Sequence, residues 1–134
     1  MVRSSIPDVV SAQRAFFSSG KTKDINFRAA QLTRLKRAIQ ASEMSIVDAL
    51  QADLKKPVLE AYAAELILTL REIDHAIKNL RAWSRPTRVP TPLMYFPGSS
   101  YVCKEPLGII LIISPWNFPF QLLVIPLIGA IASG

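Results

Sequence analysis

One amide side chain, that of Asn117, lies between two prolines in the almost wholly apolar stretch IILIISPWNFPFQLLVIPLIGAIASG. Pro115 and Pro119 each fix their own φ at about −65° and push the preceding residue toward an extended conformation. A turn stiffened in this way, between a predicted strand and a predicted helix, can aim the amide of Asn117 as a functional donor. The position just before a predicted helix also suits a helix cap. From spacing alone, both roles of Asn117 stay open.

The elements around this turn follow from the apolar run itself. GIILIIS, residues 108–114, is β-branched and does not alternate, which is typical of a parallel strand buried on both faces. Pro119 has its φ preset for the first position of a helix, so PFQLLVIPLIGAIASG is predicted to be helical. The sequence therefore predicts a strand, a tight turn and a buried helix, with Asn117 in the turn.

A membrane span is the alternative reading of the same run. Residues 107–134 carry no charge and exceed the roughly 20 residues that cross a bilayer as a helix. Against a span, Pro115, Pro119 and Pro126 each remove a backbone donor, and Asn117 would lie near mid-bilayer without a partner. We therefore favour the strand, turn and helix over an anchor.

The part that precedes the run, residues 1–84, is predicted to be helical. Ser4 or Ser5 can cap a first helix that ends near Gly20, Ser42 can cap the third, and Pro57 opens a long fourth. The apolar stripes of the last three helices are Phe27, Leu32, Leu35 and Ile39; then Ile46, Val47, Leu50 and Leu54; then Leu59, Tyr62, Leu66, Leu70, Ile73, Ile77 and Leu80. Lys55 and Lys56 are expected to meet the C-terminal end of the third helix dipole.

The net charge of +6 raises the question of an anionic partner. The excess of basic residues lies in residues 1–56, where Arg28, Arg34, Lys36 and Arg37 are predicted to form the outer face of the second helix. No aromatic residues are interleaved with them and no nucleic-acid motif is present in the sequence. We therefore expect a solvated helix face and no nucleic-acid partner.

Residues 85–106 are predicted to form an extended connection. RPTRVPTPLMYFPGSS contains too many prolines for a helix, and LMYF and YVCKEP around PGSS predict two short strands joined by a turn. Cys103 falls in the second strand. Without a base or helix N-terminus predicted beside it, we interpret Cys103 as a structural residue and not as a nucleophile.

Neither a metal site nor a disulfide is expected. His75 is the only histidine and has no Cys or carboxylate cluster with ligand spacing, so we interpret it as a half-exposed helix residue. A single cysteine cannot form an internal disulfide, and MVRSSIPDVV lacks the apolar core of a signal peptide. These features predict a cytoplasmic protein.

EPLGIILIISPWNFPFQLLVIPLIGAIASG strongly resembles the aldehyde dehydrogenase superfamily, and AFFSSGKTKDINFRAAQL, LQADLKKPVLEAYAAEL and EIDHAIKNL resemble its class three branch. The resemblance implies an α/β fold of which this chain is the N-terminal segment. Residues 1–84 would belong to the coenzyme-binding domain, 85–106 would include oligomerisation strands around Met94 to Cys103, and 107–134 would start the coenzyme-binding strand-turn-helix. The complete enzyme would be a homodimer that uses NAD or NADP to oxidise an aldehyde to a carboxylic acid.

The same resemblance assigns roles to the turn. Asn117 would donate to the oxyanion of the tetrahedral intermediate. Ile113, Ser114, Pro115 and Trp116 would form part of the coenzyme wall, and Phe118 and Leu122 would face the aldehyde channel.

Other parts of the family's site have no counterpart in this sequence. The nucleophilic cysteine, the general-base glutamate and the lysine and glutamate that hold the coenzyme ribose would follow Gly134, and Cys103 does not match the nucleophile's position. The isolated chain is therefore expected to be inactive. A non-catalytic remnant that docks on a full-length relative is the alternative.

Overall fold

The computed structural model describes residues 5–134, and most of them are helical. The longer helices are α1 (Ile6–Ser18), α2 (Ile25–Ala41), α3 (Glu43–Leu54), α5 (Leu68–Trp83) and α6 (Pro119–Ser133). A short α4 (Val58–Glu60) and a π-helix (Ala61–Ile67) lead directly into α5, and single 3-10 turns cover Lys21–Lys23 and Leu93–Tyr95. The predicted helices are thus present.

The helix ends follow the local signals of the sequence. Ser5 caps α1 in a capping box with Asp8, whereas Ser4, the other cap candidate, lies outside the described residues. Gly20 follows the end of α1 and has a left-handed φ of 73°, a conformation that glycine adopts without a steric penalty. Ser42 is at the N-cap of α3, but its side chain makes no capping hydrogen bond there.

One helix-to-helix core runs through the molecule. Its buried apolar side chains are Leu32 and Ile39 of α2, Val47 and Leu50 of α3, Ala61 and Leu66 of the π-helix, Ile73, Ala76 and Leu80 of α5, and Val124, Ile128 and Ala132 of α6. The three α6 residues recur every four positions, so one stripe of α6 packs on the helices that precede it. This core fixes α6, and therefore the turn before it, against the first 84 residues.

The seam predicted from Pro57 onward is only partly buried. Leu66, Ile73 and Leu80 are buried as expected, but Leu59 is 79% exposed and Tyr62 is also exposed. The chain between them and α5 is π-helical, with i→i+5 hydrogen bonds in place of i→i+4 bonds. A π-helical turn contains more residues than a turn of α-helix. It therefore rotates Leu59 and Tyr62 away from the buried face on which a regular helix would place them.

The strand prediction in residues 85–106 was wrong for its first strand. The observed pair is β1 (Thr87–Val89) and β2 (Ser100–Val102), which run antiparallel with Arg88 opposite Tyr101. LMYF instead contains the 3-10 turn within the connection between the strands. Register depends on pairing between distant residues, which local propensity does not specify.

The predicted parallel strand at 108–114 is not formed within residues 5–134, where those residues are irregular, although the turn and α6 are present. A strand needs a hydrogen-bonded neighbour, and the only sheet of the described residues is the pair β1 and β2. The helix in this region, α6, has 15 residues. None of the helices between residues 5 and 134 combines the length and apolarity that a membrane crossing needs.

Arg28 does not belong to a solvated face. Its side chain is buried, and its guanidinium donates to the carbonyl oxygens of Ala132 at 2.8 Å and Lys23 at 3.0 Å. Arg34 and Arg37 are exposed as predicted, and the half-buried Lys36 pairs with Asp74 at 2.6 Å. The outer basic face therefore lacks one of its four predicted members.

Candidate active-site turn

The candidate site residues lie in the segment just before α6 and in its first turns. Ile113 and Trp116 are 84% and 88% exposed, Ser114 is half-buried, and Pro115 and Asn117 are exposed. Residues 116–118 form a bend that leads into Pro119 at the first position of α6. Phe118 and Leu122 are half-buried.

Asn117 does not cap α6. The N-cap residue is Phe118, and it makes no side-chain capping hydrogen bond. The Asn117 amide has no hydrogen-bond partner among residues 5–134. The structure therefore excludes the cap role that the sequence left open for this side chain.

The first turn of α6 is capped by a side chain from another helix. Glu65 of the π-helix is 0% exposed, and its Oε2 accepts hydrogen bonds from the backbone N–H groups of Phe120 at 2.9 Å and Gln121 at 3.3 Å. Pro119 has no N–H to satisfy. A carboxylate at this end of a helix also interacts favourably with the helix dipole. The backbone donors of this first turn are thereby satisfied by a single buried carboxylate.

The second oxygen of this carboxylate is paired with Lys56. Lys56 Nζ donates to Glu65 Oε1 at 2.5 Å, and the Lys56 side chain is only 9% exposed. The same Nζ lies 3.8 Å from the centroid of the Phe118 ring. Lys56 was predicted to meet the C-terminal end of the α3 dipole. Its ammonium group instead compensates a buried charge and contacts the residue that follows Asn117.

Sequence reasoning did not identify Lys56 or Glu65. One signal was available, since Glu65 is the only charged residue in the stretch AYAAELILTL. A carboxylate on the apolar side of a helix is costly to bury without a partner, so its position predicts a paired group. The identity of the partners, which lie 9 and 55 residues away in sequence, could not be derived from that signal.

The Asn117 amide is an exposed neutral donor on a turn whose backbone is conformationally restricted. Pro115 and Pro119 restrict the backbone on either side of Asn117, and the Lys56–Glu65 pair fixes the helix that follows. A donor held in this way can stabilise a negative oxygen without reorganising first. Among residues 5–134, no group of three His, Cys, Asp or Glu side chains could hold a metal ion.

The model of the aldehyde dehydrogenase family matches residues 3–134. The 4,4'-diaponeurosporen-aldehyde dehydrogenase of Staphylococcus aureus is 51% identical over 90% of this chain and 26% of that protein. The human aldehyde dehydrogenase family 3 member B1 is 41% identical over 95% of this chain and 27% of that protein.

The fold agrees with these sequence matches. The structure of the substrate-bound state of Staphylococcus aureus AldH superposes with a TM-score of 0.92 at 48% identity, over 98% of this chain and 29% of that one. The chain thus spans about a quarter of the length of the relatives it matches. Because the family match covers nearly every residue, the chain belongs to the aldehyde dehydrogenase family.

Proposed function

We propose that this chain is the N-terminal part of an enzyme that uses NAD or NADP to oxidise an aldehyde to a carboxylic acid. The observation that carries the proposal is Asn117, an exposed amide on a turn between two prolines, in a chain that matches the family over residues 3–134. The homodimeric state of the whole enzyme stays a prediction from the resemblance, and its cytoplasmic location stays a prediction from the sequence features.

In this proposal Asn117 is the oxyanion donor. A thiolate from the part of the enzyme beyond Gly134 adds to the aldehyde carbon, and the carbonyl oxygen becomes negative. The Asn117 side-chain N–H groups donate to that oxygen, and they are not used in capping α6. Because the charge exists only after attack, the interaction lowers the barrier more than it strengthens substrate binding.

The coenzyme wall is assigned to Ile113, Ser114, Pro115 and Trp116. The largely exposed Ile113 and Trp116 side chains fit this role, since they offer an apolar surface next to Asn117 in the chain. When bound against these residues, NAD or NADP would supply the acceptor for the hydride that the aldehyde carbon loses. The residues that would hold its phosphates and ribose are not assigned within this chain.

The aldehyde channel is assigned to Phe118 and Leu122. Both side chains are half-buried and apolar, and they flank the first turn of α6. They can contact the apolar part of an aldehyde while Asn117 contacts its carbonyl oxygen. Lys56 lies on the Phe118 ring, so it holds this side of the channel in place.

The experiment replaces Asn117 in the complete enzyme, which we define as this chain joined to the remainder of the fold from its own reading frame or from the Staphylococcus aureus relative. Asn117→Ala should lower kcat by roughly 100- to 1,000-fold, or about 3 to 4 kcal/mol of transition-state stabilisation. Coenzyme binding should change little, since the donor acts after thiolate attack. Steady-state kinetics and coenzyme titration measure the two effects.

Serine provides the matched control at the same position. It keeps a small hydrogen-bonding side chain in the turn, but its hydroxyl is too short to replace the Asn117 amide as the oxyanion donor. Asn117→Ser should therefore lose turnover as Asn117→Ala does, with an unchanged melting temperature. A serine variant with wild-type kcat would reject the catalytic role.

A further inference from the structure

The start of α6 is held by charged groups that lie outside the turn itself. Most helix caps come from the residue just before the helix, but here that residue is Phe118, which has no acceptor. The acceptor is Glu65, 55 residues earlier in the chain and fully buried. The direction of the first α6 turn is therefore set by the π-helix and not by the loop that precedes it.

Lys56 extends this anchor to the turn. Its ammonium group contacts both Glu65 Oε1 and the face of the Phe118 ring. Phe118 is joined to Asn117 by one peptide bond. The backbone of this short stretch is thus fixed by Pro115 on one side, by the hydrogen bonds to Glu65 on the other, and by Lys56 on the ring between them.

Packing alone does not require a buried ion pair such as that of Lys56 and Glu65. A buried ion pair costs desolvation free energy and often contributes less stability than apolar side chains of the same volume. Its advantage is directional, because hydrogen bonds to a carboxylate fix both distance and angle. Glu65 also lies in a π-helical segment, a local geometry that occurs frequently at functional sites.

We propose that Lys56 and Glu65 are positioning residues for Asn117, so that the buried pair sets the direction in which the amide meets the oxyanion. This inference rests on the proposed function of Asn117. Neither residue touches the reacting atoms. Their effect should therefore appear in kcat, and only while Asn117 is present to be positioned.

The test is a double-mutant cycle in the complete enzyme. Glu65→Gln keeps the shape of the side chain but removes the charge, and its amide cannot satisfy both Lys56 and the two backbone donors. We expect kcat to fall by about tenfold or more, since a displacement of about 1 Å can cost on the order of 100-fold. In the Asn117→Ala background, the same change should cost less than about twofold. Coenzyme affinity should stay within about twofold in both backgrounds.

A second variant distinguishes a loss of positioning from misfolding of the protein. Lys56→Met combined with Glu65→Gln removes both charges, so no unpaired charge stays buried. It should fold and show the same fall in kcat. Asp74→Asn is the matched control, because it breaks the more exposed Lys36–Asp74 pair of similar length and should leave kcat unchanged.

The outcomes separate this inference from the function on which it rests. If Asn117→Ala costs catalysis but Glu65→Gln lowers kcat by the same factor in both backgrounds, or not at all, the positioning role is rejected and the proposed function stands. If Asn117→Ala keeps full turnover, the role of Asn117 fails and the positioning role fails with it. A loss of kcat by Glu65→Gln that disappears in the Asn117→Ala background supports both.

Discussion

Arg28 Nη1 donates a hydrogen bond to the carbonyl oxygen of Ala132 at 2.8 Å, which connects α2 to the last turn of α6 across 104 residues. The last carbonyls of a helix have no partner within the helix, so this contact satisfies one that would otherwise be buried and unpaired. Nη2 of the same guanidinium donates to the carbonyl oxygen of Lys23. Arg28 and Glu65 therefore act at opposite ends of α6, one on its carbonyls and one on its N–H groups.

We expect Arg28→Met to weaken the last turn of α6. The substitution keeps apolar volume but leaves two carbonyl oxygens without the charged donor, which should lower the local opening free energy by about 2 to 4 kcal/mol. Native-state hydrogen exchange of α2 and α6 amides in the complete enzyme measures this change. Arg37→Met is the control, since Arg37 is exposed on the same helix and its replacement should change stability by less than about 0.5 kcal/mol. Equal effects of the two substitutions would contradict the prediction.

The capping box of α1 should be sensitive to acid. Hydrogen bonds from the Ser5 hydroxyl and backbone N–H hold the pKa of the Asp8 carboxyl below its ordinary value of about 3.8. Because the folded pKa is lowered, the contribution of Asp8 to stability is complete above the unfolded pKa and is lost as the pH falls through the folded pKa.

This contribution can be isolated with two variants of the capping box. The stability difference between the wild type and Asp8→Asn should be constant above about pH 5 and should shrink below it. Ser5→Ala should return the Asp8 pKa toward its ordinary value, which carboxyl-detected NMR titration measures. A difference that grows as the solution is acidified would reject this account.

The apolar segment 107–113 should make the isolated chain associate or bind hydrophobic dyes. Leu107 and Leu111 are 98% and 83% exposed, and other residues of the segment line a cavity of about 620 Å³ together with residues of α1, α2 and α6. Contiguous exposed apolar surface of this kind favours contact with another surface. Dye fluorescence and sedimentation velocity should both report it.

The matched pair for this experiment is Leu111→Lys and Met44→Lys. Both residues are exposed, but Met44 lies on α3, away from the segment. Only Leu111→Lys should reduce dye binding and association. A monodisperse wild-type chain without dye binding and with a sharp melting transition would contradict the prediction.

Cys103 should not be a nucleophile. Its side chain is exposed just after β2, and the oxyanion donor proposed here is in a different part of the chain. The isolated chain should form no reduced coenzyme from NAD or NADP with any of several aldehydes. Activity that scales with the protein and disappears in Cys103→Ser would overturn this assignment.

The sequence determined the elements whose signals are local. The stripe of α2, a serine N-cap for α1 and the start of α6 at Pro119 were all predictable, because helix periodicity, caps and proline φ each depend on residues a few positions apart. The turn that carries Asn117 was predictable for the same reason. Its assigned role came from resemblance to a family and stays a prediction.

Tertiary structure alone decided which polar residues are buried and what they contact. Arg28, Lys56 and Glu65 each looked like an ordinary helix residue, but their partners Ala132, Phe118 and Phe120 lie on or beside α6. Strand pairing was decided in the same way, with β1 at Thr87–Val89 and no strand at 108–114 within the described residues. The physical reason is common to these cases: burying a charge or forming a strand requires a partner, and the sequence around a residue does not specify which distant group the fold will bring to it.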